Sequence, residues 1–231
     1  MNKLRMRFSK TGRAIYISHL DLMATMQRAF SRAGSRLKYS EGFNPRPQIS
    51  IALPLSVGTG SVCELMDFQL LDEVDITSLT GQLNATMPEG IFVQEIYEPS
   101  RKNAELKWLE IEGLFEFDAQ QVDIMQNQLT DFFARESIVI EKKTKRGFGE
   151  TDIRPSIREI AFKAGGDGVR VRAVVSAQNP TLNPDLLAAA LHALAPEIAP
   201  DFAKFTRVET FDAEMKVFTH TKENLFLLFA L

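Results

Sequence analysis

The side chains able to do chemistry cluster first in one loop, Tyr39 to Leu53 (YSEGFNPRPQISIAL). Pro45 and Pro47 fix φ and push the residue before each toward extended geometry, so the loop is held open. Gly42 supplies backbone freedom at the tip. Such a segment displays Phe43, Asn44 and Arg46, with Tyr39 at its entrance. An aromatic face stacks on an exposed base, an amide reads a base edge and a guanidinium meets a phosphate. Arg5, Arg7, Arg28 and Arg32 lie close by in sequence and are read as further phosphate contacts. The second half adds Lys142-Lys143-Thr144-Lys145-Arg146, four cations in five residues, followed by Asp152-Ile153-Arg154-Pro155. Lys143, Lys145, Arg146 and Arg154 would extend a phosphate-seeking track. The competing reading is a solvated charged hairpin in which Asp152 and Arg154, two apart on an extended chain, pair with each other.

A different chemistry is offered by His19, where the first predicted helix begins beside Ser18. A histidine there can act as general acid or base, with Tyr16 or Lys10 assisting. It can equally well only order the strand-to-helix junction. Cys63 is the only cysteine, and the three histidines, His19, His192 and His220, are far apart in sequence. One thiol forms no internal disulfide and holds neither an iron–sulfur cluster nor a thiolate zinc site, so no metal or cofactor is expected. Cys63 reads as a buried thiol in a strand. The chain contains no GxxxxGK[ST] loop, no GxGxxG turn after a strand and no HExxH helix.

These residues sit in a chain of 231 residues, 45% hydrophobic and 25% charged, the composition of a globular protein with one large domain or two ordinary ones. No run is apolar for long enough to cross a membrane, and no secretory signal is legible, so a cytoplasmic location is expected. The net charge of −3 conceals segregation. Residues 1–50 hold ten Lys/Arg against two acids, a balance of +8, whereas residues 51–100 hold eight acids and no Lys/Arg. Either the two blocks neutralise each other in the fold or the first is a basic surface that attracts phosphates.

The elements that must position these groups follow from periodicity. Lys3 to Phe8 alternates as a strand, Lys10 to Arg13 is a turn, and Ala14 to Ile17 resumes extended. Ser18 caps a helix with Asp21 in capping-box position, and Gly34 stops it. Strands are predicted over Ile49 to Leu55 and Val62 to Leu71, a helix over Asp75 to Met87, and a strand over Ile91 to Glu98. After a polar break at Pro99 to Asn103 the order repeats: strand Glu105 to Phe117, a helix from Val122, and strand Ile138 to Lys143. A polar loop, Lys145 to Pro155, then leads to a hairpin of Ile157 to Lys163 and Val169 to Ser176. Asn183 caps a last helix with Pro184 at its first position, and Phe205 to Phe211 closes as a strand. Each half thus reads β-α-β-β-α-β, the order of a split β-α-β, ferredoxin-like unit. The expected fold is α+β: two tandem ferredoxin-like domains, residues 1–99 and 104–214, with antiparallel sheets and helices on one face. A tail of residues 215–231 would pack on a domain or a partner.

The stretches RFSKTGRAIYISHLDLM, RAFSRAG and YSEGFNPRPQISIALPLSVG, with TKRG and DIRP later, carry a family resemblance. They resemble the bacterial radical SAM-linked proteins, a conserved domain of unknown function found alone or fused behind a radical SAM enzyme. The resemblance implies that this chain works beside a radical SAM enzyme on a separate polypeptide. At fold level the layout is also similar to endoribonucleases that process CRISPR repeat RNA. The leading expectation is a non-catalytic accessory module that binds RNA, tRNA or ribosomal RNA, for a radical SAM partner. The alternatives are a metal-independent endoribonuclease using His19, and a protein–protein adaptor that binds no RNA.

Overall fold

Alternating basic and apolar residues at the start of the chain form strand β1 (Leu4–Lys10), which buries Leu4, Met6 and Phe8 on one face. A computed structural model describes residues 3–118, 122–144 and 147–218. Helix α1 (His19–Arg32) begins at Ser18, whose hydroxyl accepts from the Asp21 backbone N–H (3.2 Å) and donates to its carboxylate (2.7 Å). Leu22, Met26, Ala29 and Phe30 form its buried stripe. Strands β2 (Ile49–Ile51) and β3 (Gly60–Phe68) follow, then helix α2 (Ile76–Asn84) and strand β4 (Ile91–Tyr97). Asp75 caps α2 by accepting from the N–H groups of Thr77 and Ser78.

The second half runs β5 (Trp108–Glu116), α3 (Val122–Phe133), β6 (Val139–Thr144), β7 (Gly147–Asp152), β8 (Ile157–Gly165), β9 (Gly168–Ser176), α4 (Asp185–Leu194) and β10 (Phe202–Phe211). Among the described residues the largest departures from the expected elements fall in two places. Ala14 to Tyr16 is not extended: Gly12–Tyr16 is a 3-10 turn, closed by Ile15 C=O accepting from Lys10 Nζ (2.9 Å) and from Gly58 N–H (2.9 Å). The polar loop after residue 145 is also strand, because β6 and β7 pair from Val139↔Asp152 to Thr144↔Gly147. Buried Ile138, Ile140 and Ile153 anchor that hairpin, while its outer part gives no apolar alternation for periodicity to detect. Asn183 does accept from the Asp185 N–H (3.3 Å), but Pro184 lies one position before the helix rather than inside it.

The architecture is α+β, with four α-helices among the described residues and a mostly antiparallel sheet. In the first half β4, β1, β3 and β2 lie side by side; in the second, β10, β5, β9 and β8 do. The halves join into one eight-stranded sheet through β10 and β3, paired in parallel at Thr206↔Gly60 and Arg207↔Ser61. β6–β7 is a separate two-stranded sheet. Each half has its own core: α1 and α2 cover Met6, Phe8, Met66 and Val93, while α3 and α4 cover Ile111, Phe115, Val171 and Leu187. Below the junction, Arg207 donates to Glu64 Oε1 (2.7 Å) and to Leu53 C=O (3.1 Å), with both charged side chains at least nine-tenths buried.

The connection between halves is fastened rather than loose. Asn103 donates to Asp67 (2.9 Å), Gln178 donates to the carbonyls of Asn103 and Leu106, and Arg101 pairs with Asp212. Phe218 is buried with Leu65 and Leu106, under the guanidinium of Arg101 (4.4 Å to the ring centroid). The rest of the tail, from residue 219, lies outside the described residues.

Candidate nucleic-acid interface

The loop at Tyr39 is a small hairpin built on the end of β3. Lys38 N–H donates to Gln69 C=O (2.8 Å), and Leu71 N–H donates to Arg36 C=O (2.8 Å). Across its neck, Gln48 N–H meets Lys38 C=O (2.7 Å) and Ser40 N–H meets Arg46 C=O (2.8 Å). The Ser40 hydroxyl also accepts from Arg46 N–H (3.0 Å). Gly42 turns the tip at φ +117°, in space where nothing stands within 4 Å of an added Cβ, so backbone conformation alone demands glycine there. Phe43 is fully exposed (104%), Tyr39 half-exposed (50%), and Asn44 and Arg46 are exposed. Arg46 forms no ion pair among the described residues.

The other proposed cations divide sharply. Arg5 is buried (1%) and donates to Asp67 through Nε (2.6 Å) and Nη2 (3.2 Å), so no phosphate reaches it. Arg7 is part-buried and donates to both carboxylate oxygens of Glu209 (3.1 and 3.2 Å). Burial acts to lower the Arg7 pKa, but Glu209 outweighs it and holds the guanidinium above its ordinary value. These two residues are corrections to the expected phosphate track. On a strand whose opposite face is core, their stems are confined between neighbouring strands and find carboxylates there.

Arg28 is exposed, with no ion pair among the described residues. Arg32 is exposed but donates to Thr86 C=O (2.8 Å). The basic and acidic blocks meet in ion pairs of Lys3 and Arg5 with Asp67 and of Arg36 with Asp72.

In the second half, Arg154 donates to Ile157 C=O (2.7 Å). The Arg154 side chain makes no contact ion pair with Asp152, though its charge also acts on that carboxyl. Asp152 accepts from the backbone N–H groups of Ile138 and Arg154, which hold its carboxyl below the usual range. Lys145 and Arg146 lie outside the described residues; Lys143 belongs to β6, facing Phe148 in the register.

His19 is the first residue of α1 and is half-buried. Tyr16 is largely exposed (69%), whereas Lys10 is buried (1%) and committed to Ile15 C=O. Burial lowers the Lys10 pKa, partly opposed by Glu64. Lys10 is thus no partner for a substrate beside His19. Cys63 is buried, and its surroundings push the thiol up to about 12, chiefly by desolvation and then by Glu64. That is the state of an inert structural thiol.

One group of residues went unseen in the sequence. A cleft of about 700 Å³ lies on the open face of the sheet, across the junction of the halves. Glu110 and Arg172, bonded across β5 and β9, lie in it with Arg170, Lys204 and Glu209. The only sequence signal was alternation: the strand that buries Leu109 and Ile111 must turn Glu110 and Glu112 the other way. Nothing in a single strand says which other strand will face it.

Fold and surface together define an α+β protein with an eight-stranded sheet, an open-face cleft and a projecting aromatic–cationic loop. The chain belongs to the family described as "Uncharacterized protein conserved in bacteria (DUF2344)", which matches residues 3–184. The resemblance drawn from the sequence therefore holds at the level of a bacterial conserved domain of unknown function. No curated protein matches the sequence.

Among solved structures, it is similar to a chain of the "Crystal Structure of a Cbf5-Nop10-Gar1 Complex". The identity is 13% and the TM-score 0.49, over 90% of this chain and 48% of that one. This chain thus spans about half the length of that relative. It is also similar to the "Crystal Structure of an Unknown Protein from Galdieria sulphuraria", at 9% identity and TM-score 0.27, over 90% of this chain and 98% of that one. At these TM-scores neither likeness bears on what this chain does. No helix among the described residues is long and apolar enough to cross a membrane.

Proposed function

We propose that this chain is a non-catalytic RNA-binding module that works with a radical SAM enzyme carried on a separate polypeptide. The observation that carries the reading is Phe43, fully exposed at the tip of a pinned hairpin beside Asn44 and Arg46, the latter without an ion pair among the described residues. Leaving a phenyl ring in water is unfavourable by about 1.5–3 kcal/mol relative to burial. A rigid loop that holds it out is therefore matched to a surface that covers it, and a base face beside a phosphate suits a Phe–Arg pair. Arg28 and Arg32 supply further exposed cations. The radical SAM partner rests on the family resemblance alone.

The fold reading that accompanies this proposal is two ferredoxin-like units, residues 1–99 and 104–214. Its support is the strand order, first-half β4-β1-β3-β2 against second-half β10-β5-β9-β8, with β6–β7 as an insertion.

The test is fluorescence anisotropy with a mixed-sequence single-stranded RNA. Salt-sensitive binding is expected, weakened about tenfold by Phe43→Ala and less by Arg46→Ala. Absence of affinity at low salt would overturn the reading. Co-purification from the native host, with and without nuclease, tests the partner: loss of the radical SAM enzyme in both arms removes it from the proposal.

A further inference from the structure

The 3-10 turn Gly12–Tyr16, at the N-terminal end of α1, repeats what the Tyr39 loop offers at the C-terminal end. Each holds an exposed aromatic three residues from an exposed cation: Phe43 and Arg46 in the loop, Tyr16 and Arg13 in the turn. Side chains three apart in a 3-10 turn eclipse one another, so Arg13 and Tyr16 project from the same side. Arg13 forms no ion pair among the described residues, although Asp21 and Glu89 are acids at the same end.

The turn is pinned as the hairpin is. Ile15 C=O accepts from Lys10 Nζ and from Gly58 N–H, and Thr11 N–H donates to Gly90 C=O (2.7 Å). Gly90 packs so closely that an added Cβ would stand 2.3 Å from the Thr11 carbonyl oxygen. A ring held in water on such a turn is matched to a ligand that covers it. Between the two pairs runs α1, 14 residues or ~21 Å long. Opposite its buried stripe lie Leu20, Ala24 and Arg28, one turn apart, of which Leu20 and Arg28 are exposed.

We infer that Arg13 and Tyr16 form a second stacking and phosphate-binding station, and that one unpaired RNA segment runs along α1 from there to Phe43. The inference rests on the RNA reading above and names the class of RNA it needs. At ~3.4 Å per stacked nucleotide, the length of α1 corresponds to about six nucleotides. Duplex RNA does not suit the surface, because stacking on a ring at each end needs free base faces. A single extruded base does not suit it either, since one base occupies one station only.

The experiment is fluorescence anisotropy of the full chain at low salt with end-labelled oligouridylates, from three nucleotides to twelve. Wild-type affinity is expected to rise more than tenfold over that series, because a spanning RNA engages the second station intramolecularly. Tyr16→Ala should remove most of that rise, Arg13→Gln should reduce it several-fold, and Tyr16→Phe should retain it. Tyr16 and Arg13 are exposed, so these variants are expected to fold. The same rise in wild type and in Tyr16→Ala would overturn the second station, as when Tyr16 serves a protein partner instead. Binding that depends on Phe43 but not on Tyr16 overturns this inference alone. No binding at any length overturns the RNA reading and this inference with it.

Discussion

The Tyr39 loop and the open-face cleft both present arginine, yet the cleft pairs two of its three cations with carboxylates. In the cleft Arg172 is bonded to Glu110 and Arg7 reaches in to Glu209, so charge is cancelled where strands pack side by side. At the loop tip Arg46 forms no ion pair with a carboxylate among the described residues. A count of basic residues therefore says little about where an anion will bind. What decides is whether the fold brings a carboxylate to each cation, and β1 shows the extreme case, with Arg5 wholly consumed by Asp67.

The largest expected effect tests that consumption directly. Arg5→Ala leaves Asp67 buried with only Lys3 and Asn103, and removing one partner of a buried pair costs about 3–5 kcal/mol. Arg46→Ala should change stability by less than ~0.5 kcal/mol. Urea unfolding of both variants checks the contrast, and equal losses would break it. Next comes RNA affinity, where Phe43→Ala should cost ~1–3 kcal/mol by anisotropy, while Arg170→Ala in the cleft leaves it unchanged.

A smaller effect separates the regions by pH. Burial acts to raise the Asp67 pKa, but its bonds to Arg5 and Lys3 prevail and hold it below the ordinary value. Its stabilisation is therefore fully present above ~3.9 and is lost as pH falls through the lowered folded value. Asp67→Asn should flatten the acid limb of a stability–pH curve, and Arg46→Ala on the exposed loop should leave that limb in place. The smallest expected signal is at Cys63, whose thiol, at about 12, should stay unreactive toward a disulfide reagent at neutral pH until the protein unfolds.

Most elements were legible because one face of each is core. Leu22, Met26 and Phe30 announce α1, and the Leu109–Ile111–Phe115 alternation announces β5. The loop was legible because glycine and proline restrict local backbone whatever surrounds them. Strand β7 was not, since Gly147 to Asp152 carries no apolar alternation in its sequence. Arg5 and Arg7 were misread for a related reason: Asp67 and Glu209 are 62 and 202 residues away, and only strand pairing brings them close. The cleft is hidden in the same way, being the meeting of strands from both halves.

The two-residue pairing of β3 with β10 also has a consequence in time. A ribosome delivers Gly60 long before Thr206, its neighbour in the sheet. At ~5–20 residues per second the gap is on the order of 10 s, far longer than a small unit needs to collapse. Throughout that interval the first half can be complete while this end of β3 still offers unpaired N–H and C=O groups. The newborn chain thus passes through a stage with an open sheet edge, which β10 later closes.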